Sequence, residues 1–367
     1  MSLTFDAVSE ATPGPKWVAR WQRSWPAYKA WFTAKGGDNG PTRAQCDAAL
    51  KHYMPELLPV YHKLVVLSGG SDRAARFLST WCPPTYLGGC SLAAVADADE
   101  VRLVRNYDLS PELNEGLLLR SEWTGRPVMG MVEFLWGLSD GVNGAGLSVA
   151  LAYGGRSETA NGFGITTIVR YVLETCDTVE QAIAALRRVP SHMAYNLVLA
   201  DASGHTASVE ISPGGGVKLM PRAIATNHQS GPAEAERLAF TRSHERLAHL
   251  GAISAGPQEL NHQFLSDPLI QDRYAEGFGT LFTAEYDPMR RTLGLTMGGN
   301  RWDQTMAAFE EGQRVINYNE GTGAPAVVDW SLAANIDWQQ LARDYADGCG
   351  RDINAYLPLS REAKEAA

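Results

Sequence analysis

Gly88-Gly89-Cys90-Ser91, followed by Arg105-Asn106-Tyr107-Asp108, marks the point where the character of this sequence changes. Helix-like spacing of apolar residues dominates before Cys90, and two strand-like runs follow it. If these runs form a hairpin, the returning strand carries Arg105 and Asp108 back beside Cys90. The hairpin is therefore predicted to bring a thiol, a cation and a carboxylate together.

A cysteine that follows two glycines suits a chain that cuts itself before that cysteine. The thiol attacks the carbonyl of Gly89 and forms a thioester, which water opens, and glycine offers no side chain to obstruct the attack. The freed α-amine of Cys90 has an ordinary pKa of about 7.7–8.0, so it would be a base tied to its own nucleophile. Arg105 and Asp108 are expected to hold this amine and to favour the thiolate. Taken alone, the same residues also describe a strand with a small buried cysteine and a surface ion pair.

Composition narrows the class of protein. The chain has 367 residues, of which 45% are hydrophobic and 20% charged, as in globular proteins. A net charge of −9 argues against nucleic acid or an anionic membrane as the main partner. No apolar run is long enough to span a bilayer, and no signal peptide is visible at the start. Five scattered cysteines without a C-x-x-C pair favour a reducing, cytoplasmic location and predict neither a metal nor another cofactor.

The segment before Cys90 is expected to be largely α-helical, with residues 1–15 loose. Aromatic residues recur at helical spacing between Trp17 and Phe32, interrupted at Pro26. Thr42 begins a capping box for the next helix. The apolar stripe of these helices needs a surface to cover it, so this leader is expected to stay associated with the rest of the chain.

The segment after Cys90 reads as strands in runs, two helices, and strands again. This order predicts an α+β fold with helices outside antiparallel sheets. The predicted strands are 90–96, 101–106, 117–122, 127–136, 147–153, 192–200, 205–211, 217–226, 279–286 and 291–297, and the predicted helices are 163–175, 178–188, 233–250 and 337–347.

Three further motifs have competing interpretations. Residues 137–141 match G-x-S-x-G, but the glycine-rich continuation to Gly146 predicts a hairpin turn rather than the helix that a nucleophile elbow needs. His244 and His249 are five residues apart, which is the wrong helical spacing for a zinc pair. Asn227 ends a predicted strand, either as a loop cap or as an amide aimed at an oxyanion.

Five motifs in this order resemble the acyl-CoA:6-aminopenicillanic acid acyltransferase family. This is the C45 peptidase group of self-processing N-terminal-nucleophile (Ntn) hydrolases, relatives of the choloylglycine hydrolases. The similarity extends from about residue 80 to about residue 300. The motifs are Gly89-Cys90-Ser91, Val104-Arg105-Asn106-Tyr107-Asp108, Gly141-Val142-Asn143-Gly144-Ala145-Gly146-Leu147, His192-Met193-Ala194-Tyr195-Asn196 and Thr226-Asn227-His228.

The resemblance implies a four-layer αββα sandwich of two antiparallel sheets between helices, preceded by a helical leader. It implies cleavage between Gly89 and Cys90, which divides the chain into a leader, 1–89, and a catalytic domain, 90–367. It also implies action on a small-molecule acyl amide or thioester through an acyl-Cys90 intermediate, by an amidohydrolase or acyl-CoA-dependent N-acyltransferase.

Roles carry over residue by residue from the same resemblance. Cys90 matches the nucleophile, Arg105 and Asp108 the pair that supports its amine, and Asn227 the oxyanion asparagine. Site support is assigned to Arg246, which ends a Ser-x-x-Arg motif beginning at Ser243, to Tyr153 and to His192. Gly144 departs from the family pattern because it replaces an acidic residue. Tyr153 departs too, since relatives have a second oxyanion asparagine there, and only a backbone N–H serves that role here.

Two alternatives remain open at this point. One is a binding protein of the same fold that never processes itself, which the missing acid at Gly144 favours. The other is an uncleaved thiol hydrolase that pairs Cys90 with His192 or His228. The sequence carries no signal for the acyl group, the acceptor or the oligomeric state.

Overall fold

The computed structural model describes residues 1–86, 88–230 and 240–318. The helices of these residues are α1 Pro15–Ala34, α2 Arg43–Tyr53, α3 Leu58–Leu67, α4 Asp72–Ser79, α5 Ile165–Thr175, α6 Val179–Arg188, α7 Ser243–Ala252 and α8 Pro257–Phe264. The strands are β1 Ser2–Glu10, β2 Gly89–Ala96, β3 Val101–Leu109, β4 Leu117–Ser121, β5 Val128–Glu133, β6 Gly137–Asn143, β7 Ser148–Tyr153, β8 Tyr195–Ala200, β9 Thr206–Ile211, β10 Val217–Leu219, β11 Ile224–Ala225, β12 Asp272–Arg273, β13 Phe278–Asp287, β14 Thr292–Met297, β15 Asn300–Thr305 and β16 Gly312–Asn317.

Nine strands form the larger sheet, in the order β10-β9-β8-β7-β6-β5-β4-β1-β16. Neighbouring strands in it are antiparallel except for β1 and β4, which run parallel. Strand β1 also pairs with β16, so that Ser2 lies opposite Asn317. The first strand of the leader is therefore an interior strand of this sheet.

The smaller sheet has the order β11-β2-β3-β13-β14-β15, with β12 beside β13. Strands β2 and β3 form the predicted hairpin, in which Gly89 lies opposite Asp108 and Cys90 opposite Tyr107. Strand β13 covers the other edge of β3 and places Thr280 opposite Asp108. The prediction that a hairpin returns Asp108 to the neighbourhood of Cys90 is confirmed.

The two sheets pack face to face, because inward side chains of both contribute to one core, including Leu92, Phe282 and Met129. The other face of the larger sheet packs against the leader helices and α5 and α6. Helices α7 and α8 cover the smaller sheet, where Leu250 and Phe264 pack on Val104. The predicted four-layer αββα sandwich is confirmed. No helix among the described residues is long and apolar enough to cross a membrane.

The prediction of a loose start is wrong, because β1 occupies Ser2–Glu10. Its alternating residues Leu3, Phe5 and Ala7 are buried between the sheets, which is the pattern of a half-buried strand. The predicted interruption at Pro26 is also wrong, since α1 continues through it. The stacked rings of Trp21 and Trp25 pack against Phe77 and support the helix at this point.

Residues 137–143 are strand β6, and only the residues that follow form the predicted turn. An added Cβ at Gly141 would lie 2.8 Å from Leu173 of α5, so glycine permits the close packing of α5 on this strand. The predicted strand 217–226 is divided into β10 and β11. The predicted helix 337–347 and residues 233–239 of another lie outside the described residues, whereas α8, β15 and β16 were not anticipated.

Candidate active site

The thiol of Cys90 is buried and lies against a guanidinium. Cys90 is 1% exposed, and its Sγ accepts a hydrogen bond from Nη2 of Arg105 at 3.1 Å. The other terminal nitrogen, Nη1, forms a fully buried ion pair with Asp140, which also accepts from the Tyr286 hydroxyl. The strand that carries Arg105 therefore holds the thiol beside a cation whose own charge is already balanced.

The backbone of Cys90 is held by Asn227. The N–H of Cys90 donates to Oδ1 of Asn227 at 2.9 Å, and Nη2 of Arg246 donates to the same oxygen at 2.8 Å. The Asn227 Nδ2 group donates to the carbonyl of Tyr153 at 3.2 Å and points toward that of Gly88 at 3.5 Å. The amide of Asn227 thus connects Cys90 to the end of the leader.

Arg246 ties the cluster together from α7. Its Nη1 donates to the carbonyl of Cys90 at 2.6 Å and to the Ser91 hydroxyl at 2.9 Å. The same nitrogen lies 3.6 Å from Oδ2 of Asp108. Because arginine donates several hydrogen bonds in a fixed plane, this side chain fixes Cys90 and Asn227 relative to each other.

Asp108 has one satisfied and one free oxygen. The hydroxyl of Thr280 donates to Oδ1 at 2.7 Å, whereas Oδ2 is buried and has no hydrogen-bond partner. Burial raises the pKa of Asp108, although Arg246 and Thr280 act in the opposite direction. Asp108 lies opposite Gly89 in the hairpin, and its Oδ2 can accept one more hydrogen bond.

The start of α7 also positions the backbone of Asn227. The Ser243 hydroxyl accepts from the Asn227 N–H at 2.8 Å and lies 2.8 Å from Nδ1 of His228. Ser243 and Arg246 are three residues apart, so they share one face of the first helical turn. The Ser-x-x-Arg spacing in the sequence predicted that Ser243 and Arg246 act together at the site. Nothing in the sequence indicated that Thr280 would contact Asp108.

The thiol of Cys90 is held in its protonated form in the uncut chain. Burial raises the pKa of Cys90 to about 11, even though Arg105 lowers it. In the uncut chain the thiol is therefore protonated at neutral pH. The expectation that Arg105 and Asp108 favour the thiolate concerns the cut chain and stays a prediction. Burial is the main cause of the raised pKa, and the carboxylate of Asp108 raises it further.

Most of the predicted site residues come together, but the histidines do not. Nδ1 of His192 lies within hydrogen-bond distance of the Ala160 carbonyl, and His228 is held by Ser243. Within the described part of the chain, neither makes a hydrogen bond to Cys90. No group of three or more potential metal ligands occurs among the described residues either. The geometry thus offers an arginine, not a histidine, to the thiol.

A sequence profile of the family named acyl-coenzyme A:6-aminopenicillanic acid acyl-transferase matches residues 95–302, more than half of the chain. The chain belongs to this family. The name of this family is that of an acyl-transfer enzyme. The match includes Arg105, Asp108, Asn227 and Arg246, and it begins after Cys90.

Solved structures similar to this family member include the following three. Penicillin V acylase from Agrobacterium tumefaciens is 18% identical, with 59% of this chain and 86% of that chain covered and a TM-score of 0.39. A variant of conjugated bile acid hydrolase from Clostridium perfringens is 13% identical, with 65% and 100% covered and a TM-score of 0.41. An N-acylethanolamine-hydrolyzing acid amidase ortholog from Caenorhabditis elegans is 16% identical, with 55% and 93% covered and a TM-score of 0.38. No curated protein matches the sequence.

A pocket opens beside Cys90 in this acyl-transferase family member. Its lining combines leader residues with residues after the predicted cut, so it is built by both parts of the chain. The sequence offered no signal for the two carboxylates in its wall, and the rings of α1 were assigned to the core. The lining is Ala27, Tyr28, Trp31, Thr85, Tyr86, Gly88, Cys90, Arg105, Tyr107, Leu109, Leu113, Glu115, Glu133, Phe134, Leu151, Tyr153 and Tyr195.

Proposed function

We propose that this protein cuts itself between Gly89 and Cys90 and then acts as a cysteine amidohydrolase or acyltransferase. The observation that carries the proposal is the convergence on Cys90. The thiol of Cys90 accepts a hydrogen bond from Arg105, its N–H donates to Asn227, and its carbonyl accepts from Arg246. A structural cysteine needs no such set of partners, since a free cysteine ordinarily packs as a small apolar residue.

Self-cleavage begins at the carbonyl of Gly89. The Cys90 sulfur gives up its proton and adds to the Gly89 carbonyl carbon, the C–N bond breaks, and the nitrogen of Cys90 takes a proton. Water then adds to the resulting thioester, which leaves a carboxylate on Gly89 and restores the thiol. An added Cβ at Gly89 would lie 2.4 Å from the ring of Phe278, so a larger residue at this position would require that ring to move.

The freed amine finds acceptors that the uncut chain leaves in place. Oδ1 of Asn227 already accepts from this nitrogen, and Oδ2 of Asp108 has no other hydrogen-bond partner. Departure of Gly88 also frees the Asn227 Nδ2 group from the carbonyl that it faces in the uncut chain. That donor is then available to an oxyanion, together with a backbone N–H.

In the mature enzyme the amine of Cys90 takes the thiol proton, and the sulfur adds to the acyl carbon of an amide or thioester. Asn227 stabilises the oxyanion, and the bond to the leaving amine or thiol breaks as the ammonium returns its proton. Water or an amine then adds to acyl-Cys90 and releases the acid or the new amide. The choice of acceptor distinguishes hydrolase from transferase.

The leader, 1–89, is proposed to stay bound to the catalytic part, 90–367, after the cut. Strand β1 lies between β4 and β16, and Trp17 and Trp136 donate hydrogen bonds across the two parts. Loss of the leader would open the larger sheet and expose the core beneath α1. The mature enzyme is therefore two chains in one folded unit.

Denaturing intact-mass analysis tests the proposal directly. The wild type is expected to give two fragments that meet between Gly89 and Cys90, and Cys90→Ala a single species of 39.8 kDa. Cys176→Ala removes another buried thiol, which does not line the pocket, and serves as the matched control. A p-nitroanilide substrate should add its acyl mass to the fragment beginning at Cys90. Cleavage or acylation that survives in Cys90→Ala would overturn the proposal.

The same samples distinguish the two alternatives. A binding protein of this fold would remain uncut and would not acquire an acyl group. An uncleaved thiol hydrolase would acquire the acyl group on the full-length chain and lose it in His192→Ala or His228→Ala. Both outcomes contradict an N-terminal nucleophile at Cys90.

A further inference from the structure

The pocket beside Cys90 has a wall of aromatic rings interrupted by two carboxylates. The rings belong to both parts of the chain, and Phe134 contacts those of Tyr28, Trp31 and Tyr86 at centroid distances of 5.6, 5.7 and 4.5 Å. Glu115 and Glu133 lie in the same wall and are partly accessible from the pocket. Apolar pockets use their few polar groups to select and orient a ligand.

Glu115 has hydrogen-bond donors but no counter-ion in contact. Its carboxylate accepts from the Tyr28 hydroxyl and from the N–H of Leu135 at 3.2 Å. The nearby cation is Arg20, which influences Glu115 through space but makes no hydrogen bond within the described part of the chain. The negative charge of Glu115 is thus left without an ion pair.

Glu133 is in a similar position at the end of β5. The cation that influences it is Arg105, whose terminal nitrogens are engaged by Asp140 and by the thiol of Cys90. Among the described residues, neither Glu133 nor Glu115 forms an ion pair within 4.0 Å. With Arg105 balanced by Asp140, the pocket has an excess of carboxylate.

We propose that this pocket binds a protonated amine carried by the acyl part of the substrate, with Glu115 and Glu133 as its counter-ions and the surrounding rings as its walls. Ring faces attract organic cations, and carboxylates in a partly desolvated site strengthen that attraction. The acyl part is the relevant one because it stays on the enzyme through both half-reactions, whereas the leaving group departs between them. The inference rests on the proposed function, since it names the substrate class of the same site.

The protonation of the two acids agrees with a pocket that lacks its cation. Burial raises the pKa of Glu115 to about 7, and burial also raises that of Glu133. The negative charge of Glu133 raises the pKa of Glu115 further. A bound ammonium supplies the missing positive charge to both.

Matched substrates test the inference. The probes are ω-aminohexanoyl p-nitroanilide and its isostere heptanoyl p-nitroanilide, in which a methyl group replaces the ammonium. The wild type is expected to favour the cationic probe in kcat/KM by tenfold or more, in keeping with roughly 1.5–3 kcal/mol for a hydrogen bond to a charged group. Glu133→Gln and Glu115→Gln should each lower that ratio about tenfold. Glu122→Gln, which pairs with Arg120 outside the pocket, is the control.

The outcomes separate this inference from the proposed function. Equal use of both probes by the wild type, with acyl-Cys90 formed from each, keeps the proposed function and overturns the cation site. A ratio unchanged in both glutamine variants overturns it as well. If no probe acylates the enzyme, binding of hexylammonium and of hexanol to Cys90→Ala is compared by calorimetry. Preferential binding of hexylammonium that is lost in Cys90→Ala combined with Glu133→Gln then supports the site, and equal binding overturns it.

Discussion

Nη2 of Arg246 donates to Oδ1 of Asn227 at 2.8 Å, and this contact determines which way the amide of Asn227 faces. Arginine has only donors, so the oxygen of the amide must point toward it and the nitrogen away from it. The nitrogen consequently faces the carbonyls of Tyr153 and Gly88. The donor proposed for the oxyanion is thus oriented before any substrate arrives.

Asn227→Asp is expected to abolish most of the activity while preserving the fold. The aspartate still accepts from Cys90 and Arg246 but has no donor for an oxyanion, and its second oxygen repels the Tyr153 carbonyl. We expect kcat for a p-nitroanilide to fall by roughly 10²–10³, the usual effect of losing one such donor. Gln229→Glu, which alters a buried amide that contacts Tyr195 instead, is the control. An equal loss in the control would point to a general structural effect.

Asp108→Asn is expected to slow self-cleavage and the later reaction. The variant keeps the shape and the hydrogen bond from Thr280 but removes the charge that would stabilise a new ammonium at Cys90. We expect the cleavage rate, followed by intact mass over time, to fall by about tenfold or more. Thr280→Val, which removes the donor but retains the carboxylate, should be affected less. Cleavage at the wild-type rate in Asp108→Asn would limit Asp108 to a structural role.

Glu115→Gln is expected to change how stability depends on pH. The folded-state pKa of Glu115, about 7, lies above its ordinary value of 4.5, so the folded chain keeps a proton that the unfolded chain has lost. Wild-type stability should therefore fall as the pH rises through this interval, while glutamine does not titrate. Between pH values below 4.5 and above 7, the free energy of unfolding of the variant should rise relative to that of the wild type by up to about 3 kcal/mol. The rise is smaller to the extent that solvent reaches the carboxyl group.

Urea unfolding of both proteins at about pH 4 and about pH 8 measures this change in the free energy of unfolding. The comparison with wild type removes the contribution of other titrating groups. Glu122→Gln should show no comparable change. A difference that stays constant with pH would mean that folding does not shift the pKa of Glu115.

The leader should resist separation after cleavage. We expect both fragments to elute together in size-exclusion chromatography and to separate only in denaturant. Phe5→Ala, which empties a buried position of β1, should lower the free energy of unfolding by about 3–5 kcal/mol. Val315→Ala on the adjacent β16 alters a side chain that is 61% exposed and should change it little. Elution of the second fragment alone would contradict the proposal.

The hairpin that carries the site was predictable, whereas β1 was not. Strands β2 and β3 are neighbours in sequence, and their apolar runs and turn are local signals. Strand β1 instead pairs with β4 and β16, about 100 and 300 residues away, and its alternation is short. Pairing partners at such distances leave no local trace, so residues 1–15 were mistaken for a loose segment.

The same distinction applies within the site. Cys90, Arg105 and Asp108 lie on one hairpin, and a motif identified Asn227 and Arg246. The pocket wall is different, because Tyr28, Glu115 and Glu133 come from a helix, a loop and the end of a strand that meet only in the folded chain. His192 was proposed because it begins a family-like motif, and spacing along the chain did not reveal that it lies apart from Cys90.

The groups that surround Cys90 are distributed widely along the chain. The proposed cut therefore has to wait until most of the chain has been synthesised. Asn227, Arg246 and Thr280 all leave the ribosome long after the Gly89–Cys90 bond has been made. Strand β16, which pairs with β1 at the edge of the larger sheet, leaves the ribosome later still. A nascent chain therefore has its scissile bond but not the residues that act on it. Chains whose synthesis stops before Arg246 should remain whole, so that cleavage reports that translation has passed through the catalytic region.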